Sequence, residues 1–331
     1  MQAAASHPPA DTPAPWRAVV VLGAGRSGTS AITRGLQALG VDLGERLRPG
    51  RGKNPTGFFE DQDLLRLNRR LKRRLGIRGD SVALIDAAQW DAPAVRALQA
   101  EAVALIRRRF ADRALWGYKY GRTLRMLPFW EAVYRALDLD VRYVVALRNP
   151  LSVARSRGKL DPRRGTREKS DLEWLVNVVP YMAMVRARPF VVVDYDLVMA
   201  DPRQQLRRVA ARLELPVNAE TEAGIEHYAT RFLRPGMRHS RFTIDDLART
   251  PGVHPLVRDA YGWLYRLATD ELAPDDAGLW RDWARIEREV IALAPVLRHI
   301  DAVEAELRRA RVHPAGPLQA IPHLWRRLRR G

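Results

Sequence analysis

The hydrophobic positions of this chain change period several times, and each change marks an element. Ala18-Val19-Val20-Val21-Leu22 is a short apolar run, mostly β-branched and ended by Gly23, which predicts a buried strand. After a glycine-bearing loop, Ile32, Leu36 and Leu39 recur at helical spacing, with Gly40 placed to stop the helix. Strand, loop and helix together predict the opening of a βαβ unit. Asp61 to Leu75 reads as a helix that buries Leu64, Leu67, Leu71 and Leu75 and turns Arg and Lys outward, and another helix is expected over Ala94 to Phe110. Further strands are expected at Ala114 to Tyr118, Val141 to Leu147 and Phe190 to Val193, with helical stretches between them. Alternating β and α in this order predicts an α/β fold of three layers, a central parallel sheet flanked by helices.

Gly158 to Lys169 (GKLDPRRGTREK) is polar, basic and turn-rich, and is expected to be a mobile loop. Beyond about Pro251 the strand signals stop, while Leu279 to Arg311 looks largely helical, with Pro295 able to start or kink a segment. The expected organisation is a flexible Ala/Pro-rich tail over 1–16, a main domain over 17–250, and a helical C-terminal extension over 251–331 that ends in a basic tail. No internal repeat is present.

A length of 331 residues suffices for a sizeable core, and 47% hydrophobic with 28% charged residues gives no reason to expect global disorder. The formal net charge of +18 is the unusual quantity. It comes from 56 basic residues, only five of them Lys, spread through nearly every segment. Such a surface attracts anions, whether a nucleotide, an acidic glycan or a membrane, or is simply a solvated basic exterior. The absence of cysteine excludes disulfides, thiolate zinc sites and Cys nucleophiles together. No apolar run approaches the roughly 18 residues that span a bilayer, and the N-terminus lacks a basic segment followed by an apolar core. A cytoplasmic protein is expected, with His323 to Arg330 (HLWRRLRR), a basic amphipathic stretch, as a weak contact with the inner membrane face.

Gly23-Ala24-Gly25-Arg26-Ser27-Gly28-Thr29-Ser30 has the outline of a phosphate-binding loop between strand and helix. Glycines let the backbone curl around a phosphate, and the N–H groups that open the helix point at its oxygens. The plain alternative is a glycine-rich turn that serves packing only. Gly28 is followed by Thr29 where a nucleotide-triphosphatase loop needs Lys, and the basic residue stands two positions earlier, as Arg26.

The order Arg26-Ser27-Gly28-Thr29-Ser30 resembles the 5′-phosphosulfate loop of sulfotransferases, in the form with Arg found in bacterial and Golgi-type members. A second match is Arg148-Asn149-Pro150 followed by Ser156, because in that family an Arg closing a strand and a Ser eight residues later grip the donor's 3′-phosphate. Pro150 can begin a helix, which puts Ser156 about two turns on, within reach of the same phosphate. Asn54-Pro55-Thr56-Gly57-Phe58-Phe59-Glu60 looks like the family segment leading to an acidic residue near the acceptor. Gly117-Tyr118-Lys119-Tyr120-Gly121-Arg122 looks like its Lys-Asp-Pro-Arg stretch, and Val193-Asp194-Tyr195-Asp196 with Asp201-Pro202 like its Asp-Tyr-Glu and Asp-Pro pair. The resemblance covers Val19 to Leu213. It implies 3′-phosphoadenosine 5′-phosphosulfate (PAPS) as donor, held by Arg26, Ser27, Gly28, Thr29, Ser30, Arg148, Ser156 and Tyr195, with no obligatory metal. The family's Asp-Pro is missing at Tyr120-Gly121, and the His base of cytosolic members is replaced by Gly121.

Sulfuryl transfer needs a nucleophile that loses its proton as it attacks in line and cations that absorb charge on the leaving phosphate. Arg26 and Lys119 are the candidate cations, and Glu60, after an aromatic pair, is the candidate general base. The alternative for Glu60 is to cap or charge the first turn of the helix near Asp61. Lys119 is otherwise a surface lysine, Tyr195 either meets adenosine or packs in the core, and His239 is a reserve base. The acceptor class expected is a carbohydrate or glycolipid, and the basic surface is compatible with an acidic one. A rival reading is a Mg²⁺-dependent kinase or nucleotidase, since Phe190-Val191-Val192-Val193-Asp194 imitates the acidic strand of such enzymes. A nucleic-acid binder is disfavoured because the basic residues are dispersed rather than gathered in a stripe.

Overall fold

A computed structural model describes residues 16–50, 57–121, 124–238 and 240–312. Four strands, β1 (Arg17–Gly23), β2 (Leu115–Lys119), β3 (Asp140–Leu147) and β4 (Phe190–Asp194), form one sheet in the order β2-β1-β3-β4 with every pair parallel. The strands stand within a residue of their expected bounds because each is a short apolar run that both layers of helices cover. Register sets Val21 beside Lys119, Gly23 beside Ala146 and Leu147 beside Asp194, which brings the C-terminal ends of all four strands to one edge.

Alternate residues of each strand enter different cores. Ala18, Val20 and Leu22 of β1 join Val141, Tyr143 and Val145 of β3 on one face, while Val19 and Val21 join Val144 and Ala146 on the other. The second face is covered by α1 (Thr29–Ala38), with Ile32 and Leu36 pointing inward. Gly40, at φ 80°, ends that helix as its N–H bonds Gln37 O at 3.2 Å. The first face receives α2 (Gln62–Arg74), the short α3 (Ala87–Trp90), α4 (Pro93–Phe110), α5 (Leu127–Leu137), α6 (Pro150–Gly158) and α7 (Arg167–Val185). Two further helices, α8 (Tyr195–Ala200) and α9 (Pro202–Arg212), follow β4, and Leu206 and Val209 of α9 return to the second face with Ile225 of α10 (Ala219–His227).

The stretch Gly158 to Lys169 departs from the expected loop. It folds into a single 3₁₀ turn, Pro162–Gly165, before α7 begins at Arg167. Buried Glu173 is the cause: Arg164 donates to its two oxygens at 2.9 and 2.6 Å, and Arg157 Nε stands 3.7 Å away. Charges that read as solvated in the sequence are here neutralised from inside α7.

After residue 251 the described chain is helical, as the pattern predicts. It contains α12 (Pro255–Ala268), α13 (Ala277–Ala292) and α14 (Ala294–Val312), preceded by α11 (Ile244–Arg249), and Pro295 lies in the first turn of α14. Leu256, Val257, Leu264, Trp283 and Val290 share the apolar core of Val20 and Val145. Among the described residues no helix is long and apolar enough to cross a membrane. The tail over 1–15, Asn54-Pro55-Thr56, Arg122, His239 and the basic segment His323 to Arg330 lie outside the described residues.

Candidate active site at the sheet's C-terminal edge

The candidate residues sit where the four strands end. Arg26 follows β1, Lys119 is the last residue of β2, Arg148 follows β3 and Tyr195 follows β4, so one parallel sheet delivers all of them to one edge, where such folds form their ligand crevice. The loop after β1 turns tightly, with Ser27 N bonding Ala24 O at 3.3 Å. Gly28 adopts φ 75°, and a Cβ there would lie 2.2 Å from Tyr195 Cδ2, so both backbone and space require glycine. Arg26 takes φ 79° without being glycine, a strained conformation that the surroundings must enforce. Gly28 is the N-cap of α1 and, among the described residues, no side-chain cap bond is made there, so the helix opens directly out of the loop.

Arg26, Arg148 and Ser156 converge on this loop. Arg26 Nε donates to Ser156 Oγ at 2.9 Å, and Arg148 Nη1 donates to the Arg26 carbonyl at 3.5 Å. Partial desolvation and, second, the charge of Arg148 lower the pKa of Arg26, although the residue as a whole remains exposed to solvent. Arg148 itself is buried, with its Nε lacking a partner among the described residues, as does Ser27 Oγ. Buried polar atoms normally have a partner, so these two are donors that the described protein groups leave unused beside the loop.

Tyr195 lies beneath the loop. Its ring is pressed against Gly28 on one side, the Arg148 guanidinium stands 4.6 Å from its centroid, and its hydroxyl donates to Met237 O at 3.0 Å. It supports the arginine and the glycine.

Lys119 and Glu60 form an ion pair at 3.0 Å, both at most 7% exposed. The ammonium also donates to Ser30 Oγ at 3.2 Å, which places it at the phosphate loop. Burial lowers the Lys119 pKa, and Glu60 opposes that shift as the second cause. The other Glu60 oxygen, Oε2, accepts from Arg48 Nη1 at 3.2 Å. The cap of α2 is Asp61, whose side chain accepts from Asp63 N and Leu64 N, so Glu60 is free of that duty and faces the crevice cations.

Arg48 was not legible as a site residue. A local pairing carries it there: Arg48 N bonds Glu60 O at 2.8 Å, Leu47 bridges Asp61, and the guanidinium packs 3.9 Å from the Phe58 ring centroid. Asn149 was also missed, although Asn before Pro at a helix start is a capping signal. It caps α6 through Leu151 N and donates to Thr243 O at 2.8 Å, which ties the 242–243 segment to the site. Gly121 leaves the position after Tyr120 without a side chain, and Gly25 approaches its carbonyl.

Asp194, the acidic strand end behind the kinase reading, is committed elsewhere. Its Oδ1 accepts from Asp196 N and Leu197 N at 2.8 and 3.2 Å, and its Oδ2 accepts from the Tyr261 hydroxyl at 3.5 Å. Burial, and then the neighbouring Asp196, push its carboxyl up to about 7. Two cavities, of about 390 Å³ beside Arg186, Arg188 and Arg212 and about 350 Å³ beside Arg108, Arg109 and Arg113, are lined by none of the candidate residues.

The fold and crevice define an α/β protein with a phosphate-type loop at the end of a parallel sheet. No family model and no curated protein matches the chain. Similar solved structures include sulfotransferase STF1 from Mycobacterium tuberculosis, 15% identical over 75% of this chain and 77% of that one, with a TM-score of 0.42. Another is the sulfotransferase domain of the Synechococcus olefin synthase, 16% identical over 86% of this chain and 98% of that one, TM-score 0.41. A third is sulfotransferase STF9 from Mycobacterium avium, 17% identical over 79% and 78%, TM-score 0.42. Each carries the name of the family that the loop sequence resembles, but at these values the likeness concerns chain path at most. The residues of the crevice carry the functional reading.

Proposed function

We propose that this chain is a sulfotransferase that takes a sulfuryl group from PAPS and passes it to a hydroxyl or amine, with a carbohydrate or glycolipid as the acceptor class. The observation that carries the reading is the meeting of Arg26, Arg148 and Ser156, from three separate elements, around a glycine loop that lacks the triphosphatase lysine. Ser27 to Ser30, where the loop runs into α1, receive the 5′-phosphosulfate, and Arg148 with Ser156 receives the 3′-phosphate. The acceptor oxygen forms a bond to sulfur as the bond from sulfur to the 5′-phosphate oxygen breaks. The acceptor proton passes to Glu60, and 3′-phosphoadenosine 5′-phosphate (PAP) leaves with its added negative charge facing Arg26 and Lys119. The basic segment His323 to Arg330 is carried in the same reading as a weak contact with anionic membrane.

The test is transfer of labelled sulfuryl from PAPS to a panel of carbohydrate and glycolipid acceptors in the presence of EDTA. Glu60→Gln keeps the shape but cannot take the proton, and should lower turnover roughly 10²–10⁴-fold in a chain that melts normally. Mg²⁺-dependent phosphoryl transfer from ATP, without transfer from PAPS, would overturn the proposal.

A further inference from the structure

A general base works poorly while a cation holds the oxygen that must accept the proton. Glu60 is in that condition: Oε1 is held by Lys119 at 3.0 Å and Oε2 by Arg48 at 3.2 Å. The two holders differ. Arg48 reaches Glu60 from the pairing between the 46–48 and 60–62 segments, so it travels with the base. Lys119 comes from the end of β2 and also contacts Ser30 at 3.2 Å, so it stands between the base and the phosphate loop. It is 5% exposed, and burial disfavours its charge unless an anion is close. Glu60 is the anion that the described residues supply.

We propose that Lys119 couples donor binding to release of the base. This rests on the sulfotransferase reading and adds an order of events to it. In the free protein the Lys119 ammonium neutralises Glu60 Oε1. An anionic oxygen of the donor on the Ser27 to Ser30 loop draws that ammonium to itself, and Oε1 is left to accept the acceptor's proton while Arg48 keeps Oε2 oriented. No covalent bond changes in this step, since one ammonium exchanges a carboxylate partner for a phosphosulfate partner. The base is therefore competent only in the donor complex, and Arg48 is its positioning residue.

A double-mutant cycle on PAP binding, read by calorimetry without turnover, tests the coupling. In the wild type the donor must win Lys119 from Glu60, so Glu60→Gln should bind PAP more tightly, on the order of tenfold. That gain should vanish in a Lys119→Met background, and equally in Lys119→Gln should the Met variant fold poorly. Mere removal of a repelling carboxylate predicts the same gain whether or not Lys119 is present, and that result would overturn the proposal. So would unchanged affinity in Glu60→Gln. A wild-type protein that does not bind PAP at all would instead remove the sulfotransferase reading, and the coupling with it.

Discussion

Arg148 is the residue whose removal separates a 3′-phosphate site from a general basic crevice. The side chain is 7% exposed, its guanidinium packs 4.6 Å from the Tyr195 ring centroid, and its Nε lacks a partner among the described residues. Arg148→Ala should therefore do two separable things. Loss of the cation–π contact should lower stability by about 0.5–2 kcal/mol, seen as a lower melting temperature. Loss of a charge-assisted partner for the 3′-phosphate should weaken PAP by about 1.5–3 kcal/mol, which is roughly 10- to 150-fold. AMP, which lacks that phosphate, should be weakened by less than about threefold. Titrating both ligands into the same preparation removes any error in the folded fraction from the ratio. Arg148→Lys keeps the charge but loses the planar fork, and should recover only part of the loss. Equal weakening of PAP and AMP would refute the assignment of Arg148 to the 3′-phosphate.

Gly28→Ala should abolish PAP binding and destabilise the chain by about 1–3 kcal/mol, because the new Cβ would lie 2.2 Å from Tyr195 Cδ2 on a backbone at φ 75°; normal binding in this variant would show that the loop relaxes without consequence. Asp194 predicts a pH effect. Its folded carboxyl is pushed up to about 7, above the value near 3.9 of an unfolded chain, so the folded state holds the proton more tightly between those values. Its contribution to stability is thus present below about pH 4 and is lost as pH rises toward 7, by at most about 1.4 kcal/mol per unit. Asp194→Asn should flatten the decline of the melting temperature across that window, whereas a parallel displacement of the whole curve would contradict the burial argument.

Much of this architecture was legible because local signals agreed with the global fold. Short β-branched runs such as Val19-Val20-Val21 become strands covered on both faces, and Leu64, Leu67 and Leu71 become one buried helix stripe. The loop from Gly23 to Ser30 and the pair Arg148 and Ser156 were legible for a related reason, since each depends on spacing within one strand–turn–helix unit. What spacing does not carry is pairing between distant charges. Glu173 is buried in α7 and gathers Arg157 and Arg164, so a stretch that reads as a mobile loop is held in a 3₁₀ turn. Arg48 reaches Glu60 only because Leu47 bridges Asp61. The choice between Glu60 as cap and Glu60 as crevice carboxylate turned on one residue of register, which the structure gives to Asp61 as the cap. The role of Tyr195 was likewise open, and its contacts with Gly28, Arg148 and Met237 place it as a support beneath the loop.

The most direct measurement of the central claim is calorimetric titration of the wild-type chain with PAP, AMP and ATP, the last with and without Mg²⁺. A crevice in which Arg26, Arg148 and Ser156 receive a doubly phosphorylated adenosine predicts that PAP binds at least about tenfold more tightly than AMP, in EDTA as well as in Mg²⁺. Tight binding of ATP that requires Mg²⁺, with PAP no better than AMP, would contradict it.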